Sequence, residues 1–164
     1  MQVENDLKEY LANFNAVDNA LQMRTLVRWN GRNLRTKENL AEHTHLVIVC
    51  LYELVDRVRQ FKPLCIDMET LTRYAMYHDS LELLRGDILS ITKDTVPGLR
   101  EYTDNEENIF LGEIVGIKLN DTETALLKLA DLMACYKFIE FELKYPSNDY
   151  AKQAYIQTKS KFDY

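Results

Sequence analysis

Leu40, His43, Val47, Leu51, Leu54, Val58 and Phe61 recur at steps of three and four residues. An α-helix puts such a row on one face, and a strand would scatter it over two. The row predicts a helix over residues 40–61, with Asn39 as its N-cap and Lys62-Pro63 as its stop. The same pattern predicts a helix over 3–14, with Leu7, Tyr10, Leu11 and Phe14 on one side, and a shorter one over 17–29. A further helix should cover 67–85 and close at Gly86, a good C′ residue. Residues 99–118 read as helical, although Gly112 and Gly116 weaken the segment. Asn120 and Glu123 have capping-box spacing and should open a helix running to 143. After Pro146, Ser147 or Asn148 should cap a last helix through 155. Residues 30–38 and 87–98 read as loops. Five glycines and three prolines in 164 residues leave few turns for a β-fold. The expectation is an all-α fold of about seven helices, one bundle spanning 1–164 as a single domain.

Within this helical frame His78-Asp79 sits in the apolar stretch from Tyr74 to Leu84. An imidazole beside a carboxylate on a core-facing helix is costly unless something pairs with both, and a divalent cation does so. Glu82 follows His78 by one turn, about 40° around the helix axis, so His78, Asp79 and Glu82 can face one site. Asp87 lies just past Gly86, His43 opens the helix at 40–61, and Asp131 is a lone carboxylate among Leu129, Ala130, Leu132 and Met133. Two histidines and two aspartates from three helices form a mixed N/O set suited to Zn, Mn, Fe or Co. With three histidines in the chain, one metal ion is the economical count.

Each residue alone has a plainer role. His78 could be a hydrogen-bonded core histidine, Asp131 an ion-pair partner, and Glu82 a solvated residue paired with Arg85. His45 points about 200° away from His43 and is not expected to be a ligand. Cys135, one turn after Asp131, could approach the metal, but a core thiol is the preferred reading. A second cluster is basic: Arg24, Arg28, Arg32, Arg35 and Lys37 around Trp29, the only tryptophan. It reads either as a solvated loop or as an anion site near His43, where the indole could stack on a sugar or base. Lys93, and Lys128 on the Asp131 side of its helix, are further candidates for reaching a phosphate.

The net charge of −6 argues against long nucleic acid as a partner, because duplex binders carry a basic face. A local Arg/Lys cluster can still hold a small anion. The longest apolar run, 46–52, is too short to cross a bilayer, and the N-terminus has no signal-type apolar stretch. Cys50, Cys65 and Cys135 are odd in number and lie in or beside apolar sequence, which fits buried thiols in a reducing compartment. A soluble, cytosolic protein, in a bacterium or a phage-infected host, is expected.

The combination of Arg28-Trp29, Arg35-Thr36, Glu38-Asn39, Glu42-His43, Met76-Tyr77-His78-Asp79, Glu82, Gly86-Asp87 and Asp131 resembles the HD-domain metal-dependent phosphohydrolases. Within them it is similar to the bacterial 5′-deoxynucleotidases and to related phage enzymes that hydrolyse dATP. The resemblance runs from about 27 to 143. It implies an HD fold in which His43, His78, Asp79 and Asp131 hold one divalent ion (Co, Mn or Zn). It further implies that Arg28 contacts phosphate and that Glu82 positions or deprotonates the attacking water. Asp87 would accept from the deoxyribose 3′-hydroxyl, Trp29 would crowd the 2′ position, and Ser90 and Lys93 would lie near the substrate. Related enzymes form dimers or larger rings, so a homo-oligomer is expected.

Two departures from the bacterial pattern shape the substrate expectation: a shorter chain after Asp131, and Asn30-Gly31-Arg32 in place of a more apolar turn. The extra arginine favours a longer phosphate tail. The expected reaction is therefore dATP to deoxyadenosine plus triphosphate, with the 5′-deoxynucleotidase reaction (deoxynucleoside monophosphate to deoxynucleoside plus phosphate) as the alternative. A hydrolase of signalling nucleotides and a non-catalytic HD regulatory module stand behind these two.

Overall fold

A computed structural model describes residues 2–29, 34–144 and 149–162. Among them the secondary structure is helical throughout, apart from an isolated antiparallel bridge between Val27 and Asn39. The helices are α1 (Gln2–Ala12), α2 (Ala16–Met23), α3 (Leu40–Arg59), α4 (Met68–Tyr77), α5 (Glu82–Arg85), α6 (Ser90–Thr95), α7 (Leu99–Val115), α8 (Asp121–Glu142) and α9 (Asp149–Lys159). The all-α expectation holds, with more and shorter segments than the sequence suggested.

The two longest helices, α3 and α8, form the most extensive pair, and α9 packs on α8. Their shared core contains Val47, Cys50, Leu51 and Val55 from α3, Leu71 and Ala75 from α4, and Leu126, Ala130 and Ala134 from α8. Both long helices start at capping boxes. Asn39 accepts from Glu42 N while Glu42 returns a bond to Asn39 N, and Asn120 and Glu123 do the same. A second core gathers Tyr74, Leu81, Phe110, Leu111 and Val115, with Tyr10 tilted and Phe14 edge-on against Phe110.

Several boundaries differ from expectation. The segment expected to be helical over 17–29 leaves the helix after Met23. Residues 26–28 instead pair with 38–40, through Arg28 N to Glu38 O (2.9 Å) and Leu40 N to Leu26 O (2.9 Å). Trp29 takes φ 59°, which ends any helical run. The helix expected over 67–85 breaks at 78–81 into i→i+3 turns, Ser80 N to Tyr77 O and Glu82 N to Asp79 O, both 2.9 Å. His78 causes this locally, because its Nδ1 bonds the Ala75 carbonyl (2.9 Å) that a continuing helix would offer to the Asp79 amide. The expected loop at 87–98 contains α6, whose Ser90 and Asp94 are held by Arg100 of α7. Helix α7 stops at Val115, with Gly116 at φ 78° as its left-handed cap. The last helix continues to Lys159, and its expected caps Ser147 and Asn148 lie outside the described residues. Cys50 is buried and Cys135 half-buried, but Cys65 is exposed, contrary to the expectation of buried thiols.

At the end of α8, the fully buried Glu142 accepts from the Arg35 amide (2.8 Å), the Thr36 amide (3.0 Å) and the Thr36 hydroxyl. It pins the chain that leads into α3. A Glu142→Ala variant should lose about 1–3 kcal/mol in urea denaturation, because buried amides lose their acceptor. A change within error would show that this anchor contributes nothing.

Candidate metal centre and substrate cleft

Three helical regions deliver the candidate ligands. The α3 start brings His43, the 78–81 turn brings His78 and Asp79, and the middle of α8 brings Asp131. His43 is fully buried. Its Nε2 lies 3.0 Å from Asp131 Oδ1 and 3.6 Å from Asp79 Oδ2. His78 Nε2 lies 3.2 Å from Asp79 Oδ2, and the two imidazole centroids are 5.7 Å apart. The ligand atoms fall into two overlapping triads that share His43: one with His78 and Asp79, the other with Asp131 and Cys135.

The donor set suits a divalent cation. His78 commits Nδ1 to a backbone carbonyl, which fixes the tautomer that leaves the Nε2 lone pair free. That Nε2 is buried and has no hydrogen-bond partner. Both imidazoles and the Asp79 carboxylate fall in one triad, and Asp131 joins it through the shared His43, a mixed N/O donor set of the kind divalent transition metals favour. Cys135 Sγ is 3.8 Å from Asp131 Oδ1 and 3.9 Å from Arg28 Nη2, closer than a plain core thiol would lie.

Arg28 is the cation already present. Its Nη1 donates to Asp79 Oδ2 (2.7 Å) and lies 3.4 Å from Glu82 Oε2, while its Nε faces Glu38 Oε2 at 3.6 Å. Burial disfavours charge on this guanidinium, yet Asp79, Cys135, Glu82 and Asp131 together outweigh it and hold its pKa well above the usual range. Burial pushes Asp79 up, but His78 and Arg28 together hold it well below the ordinary carboxylate value. Glu82 goes the other way: burial, then repulsion from Asp79, pushes it up to about 9 against the pull of Arg28. Burial would lower His78, but Asp79 raises it to about 9. Burial raises Asp131 too, but its bond to His43 together with the His43 and His78 charges lowers it on balance. Two neighbouring carboxyls thus have their titrations driven apart, the arrangement by which one site keeps both a proton carrier and a fixed anion.

The centre opens into a cleft of about 450 Å³. Arg28, Trp29, Asp79, Glu82, Asp87, Ser90, Lys93 and Asp131 all line it, as do Cys135 and residues of α9. Trp29 and Asp87 are bonded to each other, Trp29 N donating to Asp87 Oδ2 at 2.9 Å. The indole stacks on Phe138 of α8 (centroids 6.0 Å, interplanar 20°) and donates Nε1–H to Glu38 Oε2 at 3.0 Å. Lys93 is tethered to Glu107 (3.8 Å), and Ser90 Oγ accepts from Lys161 Nζ (3.0 Å) and Arg100. Lys128 is solvent-exposed and is not among the cleft residues. His45 is exposed on the opposite side of α3. Arg32, the basis for favouring a longer phosphate tail, lies outside the described residues.

Residue-type reasoning missed Glu38 and Phe138. Glu38 was visible as a carboxylate two residues before the buried start of α3, but its burial depends on a chain reversal that no periodicity marks. Phe138 sits at the correct phase, one helical turn beyond Cys135 and two beyond Asp131.

Residues 15–117 match a family model described as 5′-deoxynucleotidase YfbR-like. The match contains Arg28, His43, His78, Asp79, Glu82 and Asp87, and it ends before Asp131. A 4′-phosphooxetanocin A phosphatase of Priestia megaterium is 30% identical over 122 residues, covering 71% of this chain and 61% of that protein. The chain thus spans less than two thirds of that relative's length. A 5′-deoxynucleotidase of Pasteurella multocida is 24% identical over 157 residues, covering 85% of this chain and 80% of the other. The crystal structure of the PH0347 protein from Pyrococcus horikoshii OT3 superposes with a TM-score of 0.65 at 18% identity, over 85% of this chain and 83% of that one, which shows a common fold.

Proposed function

The chain belongs to the 5′-deoxynucleotidase YfbR-like family, and from that membership we propose that it hydrolyses 2′-deoxynucleoside 5′-monophosphates to deoxynucleoside and phosphate. The observation that carries this reading is the bonded pair of Trp29 and Asp87, set in one cleft beside Arg28 and Glu82. A sugar entering there meets an indole wall on one side and a carboxylate acceptor on the other. That pairing favours a 3′-hydroxyl with nothing bulky at C2′.

His43, His78, Asp79 and Asp131 would hold one divalent ion, with Co, Mn or Zn all compatible with two imidazoles and two carboxylates. Such an ion supplies Lewis-acid polarisation of a phosphoryl oxygen and makes a water more acidic. The chain's own residues do the rest. Arg28 bonds Asp79 through Nη1 and turns Nε toward Glu38 at 3.6 Å, so Nη2, opposite the Cys135 thiol, is the edge it offers to a phosphate oxygen. Glu82 is the carboxyl that moves a proton at the attacking water or the departing 5′-oxygen. Ser90 and Lys93 line the outer part of the cleft, where Lys93 adds positive charge toward the phosphate.

The substrate ranking drawn from Arg32 is reversed. Both curated relatives carry names that denote removal of a phosphate, and that supports the monophosphate over dATP for this chain. The triphosphohydrolase reaction is the second reading. Incubating the purified protein with cobalt and either dAMP, dATP or AMP separates the possibilities. Deoxyadenosine and phosphate should appear from dAMP, with much slower release from AMP. Tripolyphosphate from dATP with dAMP untouched would overturn the proposal, and equal turnover of AMP would remove the role given to Trp29.

A further inference from the structure

Besides His78 Nε2, two buried nitrogens in the centre lack a hydrogen-bond partner: Arg28 Nε and His43 Nδ1. Both face one side chain. Glu38 Oε2 lies 3.6 Å from Arg28 Nε, and Glu38 Oε1 lies 3.7 Å from His43 Nδ1. The same Oε2 accepts the Trp29 indole N–H at 3.0 Å. Glu38 is itself buried, and its position is fixed from two directions. Its carbonyl accepts from Arg28 N (2.9 Å), and Glu142 holds the backbone of Arg35 and Thr36 just before it. One carboxylate therefore stands between the metal-facing histidine, the phosphate-facing arginine and the sugar-facing tryptophan.

We propose that Glu38 is a positioning residue that sets the His43 tautomer and the Trp29 indole together, so that one carboxylate couples metal affinity to the shape of the sugar wall. The inference rests on the metal-centre reading above. The chemistry follows from donor and acceptor counts. For His43 Nε2 to present a lone pair beside Asp131 and Asp79, Nδ1 must carry the proton, and a buried N–H needs an acceptor. Glu38 Oε1 is the oxygen facing it. A carboxylate accepts at both oxygens, so it serves Nδ1–H and indole Nε1–H at once. A glutamine of the same shape has one acceptor and one donor. If its oxygen keeps the indole at the shorter of the two contacts, its NH₂ meets the Nδ1–H donor to donor. The histidine then loses the partner that holds its tautomer.

The test strips the full-length protein with a chelator and titrates it with cobalt by calorimetry. In parallel it records the emission of Trp29, which, as the only tryptophan, reports without ambiguity. E38Q is expected to bind cobalt about 10–100-fold more weakly than wild type, the usual loss when the outer partner of a ligand histidine is removed, with Trp29 emission unchanged. E38A should lose similar affinity and also shift the emission, because the indole loses its acceptor. W29F guards against a general packing defect. It frees Oε2 without touching Glu38, so its cobalt affinity should equal or exceed wild type. E38Q binding cobalt as tightly as wild type would overturn the inference, and so would a W29F loss as large as that expected of E38Q. A wild-type protein that takes up no cobalt would overturn the metal-centre reading, and this inference with it. Unchanged E38Q binding beside normal wild-type binding would sink this inference alone.

Discussion

A His78→Ala variant should hydrolyse dAMP roughly a thousandfold more slowly than wild type, or worse, while keeping its helical circular dichroism. Lewis-acid stabilisation is worth several kcal/mol, and about 4 kcal/mol corresponds to three decades in rate. The structural cost is small by comparison. Removing the ring frees the Ala75 carbonyl and lets 78–81 wind toward regular helix, so the helical content is kept. What goes is the buried Nε2 that faces Asp79 and the Nδ1 bond that orients it. Metal content measured on the dialysed variant should fall with the rate. Turnover close to wild type would mean that the two imidazoles do not hold the working ion, and the mechanism proposed above would fail.

Arg28→Ala should be the most destabilising change in the centre, by about 3–5 kcal/mol in denaturant titrations run with chelator present. The guanidinium is nearly buried and sits among Asp79, Glu82 and Glu38, so its removal leaves a cluster of carboxylates without their nearest positive charge. Adding cobalt should recover part of the loss, because a cation at Asp79 relieves the same repulsion. Activity should remain down by about 10²–10³ even at saturating metal, since the donor edge offered to the phosphate is gone. Arg28→Lys should rescue little of either quantity, because a point charge cannot span three carboxylates as a planar fork does. A variant as stable as wild type in chelator would show that the carboxylates shed their charge at little cost, and the electrostatic account of the site would need revision.

Much of the candidate site was legible because its candidate ligands sit where sequence reasoning is strongest. His43, His78 and Asp131 stand out as polar residues in apolar helical runs, and burial of such groups demands a partner whatever the fold. The long helices were equally legible, since α3 and α8 carry both the apolar period and a capping box. What escaped has a common physical cause. The chain reversal at 24–29, the break at 78–81 and helix α6 are held by bonds between residues with no shared period: the 26–28 backbone to 38–40, Asp87 to the Trp29 amide, His78 to the Ala75 carbonyl and Arg100 to Ser90. Such bonds leave no periodic trace. Glu38 belongs with them: its neighbours in sequence are polar, and only the pairing of 26–28 with 38–40 carries it inside.

Trp29 holds φ at 59°, a conformation that costs a residue with a side chain about 1–3 kcal/mol and that surrounding bonds must enforce. Its own amide on Asp87, its indole on Glu38 and its stacking on Phe138 supply that enforcement. Mutational scans of thermal tolerance will therefore misjudge this position. Glycine there sheds the torsional penalty along with the ring, so the melting point should fall by less than the lost indole contacts alone would cost, while discrimination between ribose and deoxyribose should disappear. Heat resistance alone will therefore understate what such a change removes.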